Sequence, residues 1–84
     1  MDKYNVRDGL IAVFEEILGK AVFTKYKDIE QIRLIDDLGL SSITFIALIV
    51  KIEEKFDIEF PGELLAFKYF QNITELEETI TKLL

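Results

Sequence analysis

An all-α fold of four helices, three longer and one short, with a long loop between the first and second, is predicted by three features of the sequence. Apolar residues recur at three- and four-residue spacing in three separate segments. Capping and stop residues stand at the ends of those segments. No apolar/polar alternation runs long enough to outweigh the helices. The 84 residues, half of them hydrophobic, suit one compact domain over positions 1–84 with a single core.

In the first segment Val6, Leu10, Val13, Phe14 and Ile17 share one helical face, with Asp8, Glu15 and Glu16 between them. Gly19 and Lys20 supply its stop, because glycine reaches the left-handed conformation without a Cβ clash. Gly9 inside the helix costs about 1 kcal/mol relative to alanine. Residues 20–41 show no sustained period. Phe23, Tyr26, Ile29, Ile32, Leu34, Leu38 and Leu40 are placed to anchor this connection on the core, with a short helical turn expected around Asp28 to Arg33.

The second helix is predicted from Ser41 or Ser42 through Phe56, ending near Asp57, with Glu53, Glu54 and Lys55 at its wetter end. Its apolar residues form two stripes: Ile46, Ile49, Ile52 and Phe56 on one face, and Ile43, Ala47, Val50 and Glu54 on another. One stripe suffices for a surface helix. The second therefore means either a helix buried on most sides or an apolar docking surface. Pro61 fits the first position of a short third helix over Gly62 to Tyr69, where its missing N–H costs nothing. Asn72 and Glu75 make a capping-box-like start for the last helix, carried by Ile73, Leu76, Ile80 and Leu83. Phe14, Phe45, Phe56, Phe60, Phe67, Tyr69 and Phe70 are the aromatic core candidates.

Composition excludes several classes of function. A net charge of -6 repels phosphate backbones and anionic headgroups, so neither nucleic acid nor a membrane surface is an expected partner. No Cys and no His leave no thiolate, imidazole or common zinc chemistry. Any thiol must arrive on a prosthetic group, and an enzyme is disfavoured. Met1 to Tyr4 lack signal-peptide order, and Ile43 to Val50 is too short to cross a bilayer. A soluble, cytoplasmic monomer is expected.

The segment Asp36-Asp37-Leu38-Gly39-Leu40-Ser41-Ser42-Ile43 sets two carboxylates, a glycine and two hydroxyls before a strongly apolar helix. Adjacent acids rarely converge on one ion and no EF-hand order is present, so Asp36 and Asp37 are read as solvated loop carboxylates and no metal is expected. The residues alone leave two readings of the serines, a helix N-cap or a functional site.

Asp37-Leu38-Gly39-Leu40-Ser41-Ser42-Ile43 resembles the Asp-Leu-Gly-x-Asp-Ser-Leu signature of phosphopantetheine-binding acyl and peptidyl carrier proteins. The likeness covers nearly the whole chain. Glu53-Glu54-Lys55-Phe56-Asp57-Ile58-Glu59-Phe60-Pro61 is similar to the family's Glu-Glu-x-Phe-x-x-x-Ile-Pro stretch, and Tyr69 to Leu76 resembles the Phe-x-x-x-Thr-x-x-x-Leu start of its last helix. The resemblance implies a four-helix carrier-protein bundle with a covalent 4'-phosphopantetheine on Ser42, framed by Asp37, Leu38, Gly39 and Ser41. A phosphopantetheinyl transferase would install the arm, an acyl- or aminoacyl-loading enzyme would charge it as a thioester, and a downstream synthase or transferase would use the cargo in fatty acid, polyketide or nonribosomal peptide type biosynthesis. A helix N-terminus suits a phosphodiester, and with no His present the partner enzyme must deprotonate the serine.

The resemblance also implies that the stripe nearest Ser42, with Ile43, Thr44, Ala47, Val50 and Glu54, docks partner enzymes. Two departures stand out. The family's Asp before the serine is Ser41 here, which still caps but offers no carboxylate near the transferase's metal. Thr44 and Ala47 replace the acids of fatty-acid-type carriers, leaving Glu53 and Glu54 to keep that face acidic, which shifts the expectation towards a peptidyl-type or specialised acyl carrier. The competing reading is an unmodified helical interaction module.

Overall fold

The computed structural model describes residues 3–24, 26–64 and 70–84. In chain order they form α1 (Lys3–Leu18), a 3-10 turn (Ile29–Gln31), α2 (Leu34–Leu38), α3 (Ser42–Phe56), a second 3-10 turn (Gly62–Leu64) and α4 (Ile73–Leu83). No strand occurs among the described residues, so the all-helical class stands.

α1 packs against both α3 and α4. Val6, Leu10, Val13 and Phe14 are buried on its inner face, as their spacing requires. Gly19 ends it with φ 102° and donates its N–H to the Glu15 carbonyl at 2.9 Å. Gly9 has a packing reason that its sequence did not show. A Cβ there would lie 2.7 Å from the Phe56 Cζ, so glycine lets α1 approach α3 over that ring.

Residues 20–41 are more regular than predicted. The expected turn is present at Ile29–Gln31, where Asp28 Oδ1 accepts from the Glu30 N–H at 2.9 Å. Beyond it lies a helix that the sequence reading lacked, α2, whose first residue, Leu34, is buried and donates its N–H to the Gln71 carbonyl at 2.8 Å. That bond ties the start of α2 to the segment before α4. Ile32 is buried beside Leu34, and Phe23, Tyr26 and Ile29 pack against the same core.

On α3 the buried residues are Phe45, Leu48, Ile49, Ile52 and Phe56. Ile46, expected among them, is 61% exposed and belongs to the outer stripe with Ile43 and Val50. Both assignments obey helical spacing; the long-range packing of α1 decides between them. Asp57 terminates α3 in the left-handed region, and the Ile58 N–H reaches the Glu53 carbonyl at 3.2 Å. The Glu53 carboxylate accepts from the Phe60 N–H at 2.9 Å, so it fastens the following loop and does not extend an acidic outer face.

Pro61 immediately precedes the turn at Gly62–Leu64 and lies outside it. The rest of the expected third helix, 65–69, lies outside the described residues, as do Phe67 and Tyr69. Asn72 caps α4, its Oδ1 accepting from the Glu75 N–H at 2.8 Å. The reciprocal half of a capping box is not made: the buried Glu75 Oε2 has no partner among the described residues. Phe70 anchors this corner, edge-on to Phe45 with centroids 4.9 Å apart and tilted against Phe60 at 5.6 Å.

A polar link crosses the core. Glu77, 1% exposed on α4, receives a fork from Arg7 on α1, with Nε to Oε2 and Nη2 to Oε1 both at 2.7 Å. Arg7 Nη1 also meets Glu30 at 2.9 Å. The hydrogen bonds to Glu77, opposed by partial burial and reinforced by Glu30, push the guanidinium pKa still higher, so its charge is permanent.

Candidate functional site

The two serines have different roles. Ser41, extended at φ -83° and ψ 169°, is the N-cap of α3: its Oγ accepts from the Thr44 N–H at 3.2 Å and lies 3.0 Å from Thr44 Oγ1. Ser42 is the first residue of the helix proper. Its side chain is exposed and its hydroxyl has no hydrogen-bond partner among the described residues. The local fold therefore gives the capping task to Ser41 and leaves Ser42 unoccupied by any structural one.

α2 and its cap hold this corner in place. Gly39 adopts φ 61° and ψ 43°, a left-handed cap that reverses the chain between α2 and α3. The Leu40 N–H closes the turn onto the Ile35 carbonyl at 3.1 Å. Asp37, expected as a solvated loop carboxylate, instead accepts from the Arg33 N–H at 2.8 Å and lies 3.5 Å from the Arg33 guanidinium. Its backbone carbonyl accepts from the Tyr26 hydroxyl at 3.3 Å. Asp36 remains exposed, 3.8 Å from Arg33. Leu38 and Leu40 are half-buried anchors on the core. Thus Asp37, Leu38 and Gly39 shape the turn that presents the serines. Arg33 and Tyr26 do part of that work; from the sequence Tyr26 was expected only to anchor the connection on the core and Arg33 only to end a short turn, and an arginine four residues before Asp37 was the available signal.

The electrostatics of the corner favour an anion on Ser42. At a helix start the first amides lack intrahelical acceptors. The Thr44 N–H is taken by Ser41 Oγ and the Phe45 N–H by the Ser41 carbonyl at 2.8 Å. The Ser42 and Ile43 amides meet no acceptor among the described residues, and they stand beside the free hydroxyl. Asp37, the nearest acid of the motif in the chain, is engaged with Arg33. This donor set fits a phosphodiester carried by Ser42. No group of three or more metal-ligating side chains is found among the described residues.

Below Ser42 the outer side of α3 is apolar. Ile43 is 82% exposed, Ile46 61% and Val50 46%, with Thr44 and Ala47 half-buried between them. Charge enters only at the far end, where Lys51 bridges Glu16 at 3.2 Å and stands 4.0 Å from Glu54. Among the described residues no helix is long and apolar enough to cross a membrane.

The family model described as phosphopantetheine attachment site matches residues 8–80. An aminoacyl carrier protein of Agrobacterium fabrum (strain C58 / ATCC 33970) is 48% identical over 46 residues, which make up 55% of this chain and 55% of that protein. The chain thus matches about half the length of this curated relative. No solved structure matches it.

Proposed function

This chain belongs to the phosphopantetheine-attachment family, and from that premise we propose that Ser42 bears the arm and that the protein shuttles aminoacyl groups between partner enzymes. Proteins of this family are carriers and not catalysts, and the 4'-phosphopantetheine is covalently attached. When bound, the group supplies a terminal thiol on which a carboxylic acid is held as a thioester.

The observation that carries the assignment of Ser42 is the division of labour at the start of α3. A hydroxyl needed as a cap would be engaged by a backbone N–H, and here Ser41 is engaged while Ser42 is exposed and unbonded among the described residues. The chain's own contribution to loading is positional. Gly39 turns the backbone, Asp37 and Arg33 brace that turn, Ser41 starts the helix, and the Ser42 and Ile43 amides stand where negative charge would accumulate.

Aminoacyl cargo is favoured over fatty or polyketide chains by the likeness to an aminoacyl carrier and by the near-absence of acids on the outer face of α3. That face, with Ile43, Ile46 and Val50 at its centre, Ala47 between them and Glu54 at its rim, is the docking surface for the transferase, the loading enzyme and the enzyme that takes the cargo, while Thr44, whose hydroxyl lies 3.0 Å from Ser41 Oγ, serves the helix cap instead. The carrier domain works as a monomer.

The test is intact mass after incubation with coenzyme A, magnesium and a broad-specificity phosphopantetheinyl transferase. A gain of one phosphopantetheine, absent from Ser42→Ala, is expected. A mass unchanged with several transferases would leave an interaction module as the better reading.

A further inference from the structure

Two serines stand side by side at the mouth of α3, and a transferase that installs the arm has to choose between them. We propose that Thr44 makes the choice, withholding Ser41 so that Ser42 alone is loaded. The proposal rests on the carrier reading above.

Both hydroxyls are primary, both side chains are exposed, and neither has a base supplied by this chain, so intrinsic reactivity does not separate them. Their hydrogen bonds do. A serine hydroxyl has two lone pairs and one proton. On Ser41 one lone pair accepts the Thr44 N–H at 3.2 Å. Thr44 Oγ1, 3.0 Å away, takes either the proton or the second lone pair, according to which oxygen donates. Ser42 Oγ has no such commitment among the described residues.

Loading needs the very groups that Thr44 occupies. A serine oxygen forms a bond to the phosphorus that bears pantetheine in the coenzyme A pyrophosphate. The bond from that phosphorus to the adenosine bisphosphate breaks, and the hydroxyl proton passes to a base on the transferase. Ser42 can do this from its resting position. Ser41 would have to break both contacts with Thr44 and leave the Thr44 N–H without an acceptor at the helix start. Thr44 acts through Ser41, so it is a specificity-determining positioning residue.

The experiment locates the arm by peptide mapping with tandem mass spectrometry after exhaustive incubation with coenzyme A, magnesium and a broad-specificity transferase. The wild type and Thr44→Val are expected to load on Ser42, which also shows that the Thr44→Val protein is folded. Ser42→Ala is expected to stay blank. Ser42→Ala/Thr44→Val, with Ser41 held by one bond in place of two, is expected to load on Ser41 at least about tenfold above Ser42→Ala, and Ser42→Ala/Thr44→Ser, which regains the hydroxyl, to fall back to blank. The inference is overturned if Ser42→Ala/Thr44→Val stays as blank as Ser42→Ala while Thr44→Val loads normally on Ser42. It is equally overturned if Thr44→Val loses Ser42 loading, because Thr44 would then serve loading in general. A wild type that never gains mass would remove the carrier reading itself, a result distinct from both.

Discussion

Removing the guanidinium of Arg7 tests the energetic centre of the bundle. Glu77 is 1% exposed, and both its carboxylate oxygens accept from Arg7 at 2.7 Å. In Arg7→Met the methionine retains most of the apolar stem and deletes the fork, leaving a buried charge with two unmet acceptors. Breaking such a pair costs about 3–5 kcal/mol. The Arg7 side chain is 26% exposed, so water reaches one side of the gap and the lower figure, about 3 kcal/mol, applies. Domains of this size are stable by only roughly 5–15 kcal/mol. At roughly 4–8 °C per kcal/mol, Tm should fall by at least about 12 °C. Urea unfolding followed by circular dichroism measures the free energy directly. Arg7→Met/Glu77→Met should recover most of the loss, because the buried charge is gone and two flexible apolar chains fill its place. Glu30→Gln should cost no more than about 1 kcal/mol, since its side chain is half exposed. A loss below about 1 kcal/mol in Arg7→Met would refute the reasoning and reduce the fork to a surface ion pair.

The serines should separate stability from loading. Ser41→Ala should cost about 1 kcal/mol in chemical unfolding, as loss of a cap does, whereas Ser42→Ala should stay within about 0.5 kcal/mol of the wild type while losing the arm. Gly39→Ala should cost about 1–2 kcal/mol in the same assay through its left-handed backbone alone, since no atom lies within 4 Å of where the Cβ would sit. Ile46→Glu should leave stability within about 0.5 kcal/mol and lower the transferase kcat/KM several-fold, read by timed intact-mass sampling. A stability loss of several kcal/mol there would return Ile46 to the core.

Elements fixed by local chemistry were legible in the sequence. The Gly19 stop, the Asp28 turn, the Asn72 cap and the inner face of α1 each depend on residues within a few positions of one another, and all are present. α2 was not legible because five residues are too few to display a helical period. The face taken by Ile46 was ambiguous because α3 is apolar on two sides, so spacing alone admits either stripe as the core. Arg7 and Glu77 stand 70 positions apart, and no local pattern pairs them. At the site, the signature marked Ser42, yet which serine caps depends on where the helical dihedrals begin, a boundary that propensity does not fix to one residue.

The two stripes of α3 have a consequence for how the helix keeps its rotational register. Phe45, Leu48, Ile49, Ile52 and Phe56 face inward, while Ile43, Ile46, Ala47, Val50 and Glu54 repeat the same spacing two positions earlier. Two residues advance an α-helix by about 200°, so turning α3 half-way about its axis would still present aliphatic side chains to α1. Apolar pattern alone therefore leaves an alternative packing close at hand, the kind of competitor that other features must exclude. Here the exclusion comes from the ends and from bulk. The rotated helix would bring Glu54 inward and turn Phe45 and Phe56 to water, losing the ring over Gly9. The Ser41 cap and the left-handed Asp57 fix where the helical turns begin and stop. A greasy outer surface next to Ser42 is thus compatible with one native packing only because two aromatic rings, one acid and two terminal residues break the near-symmetry.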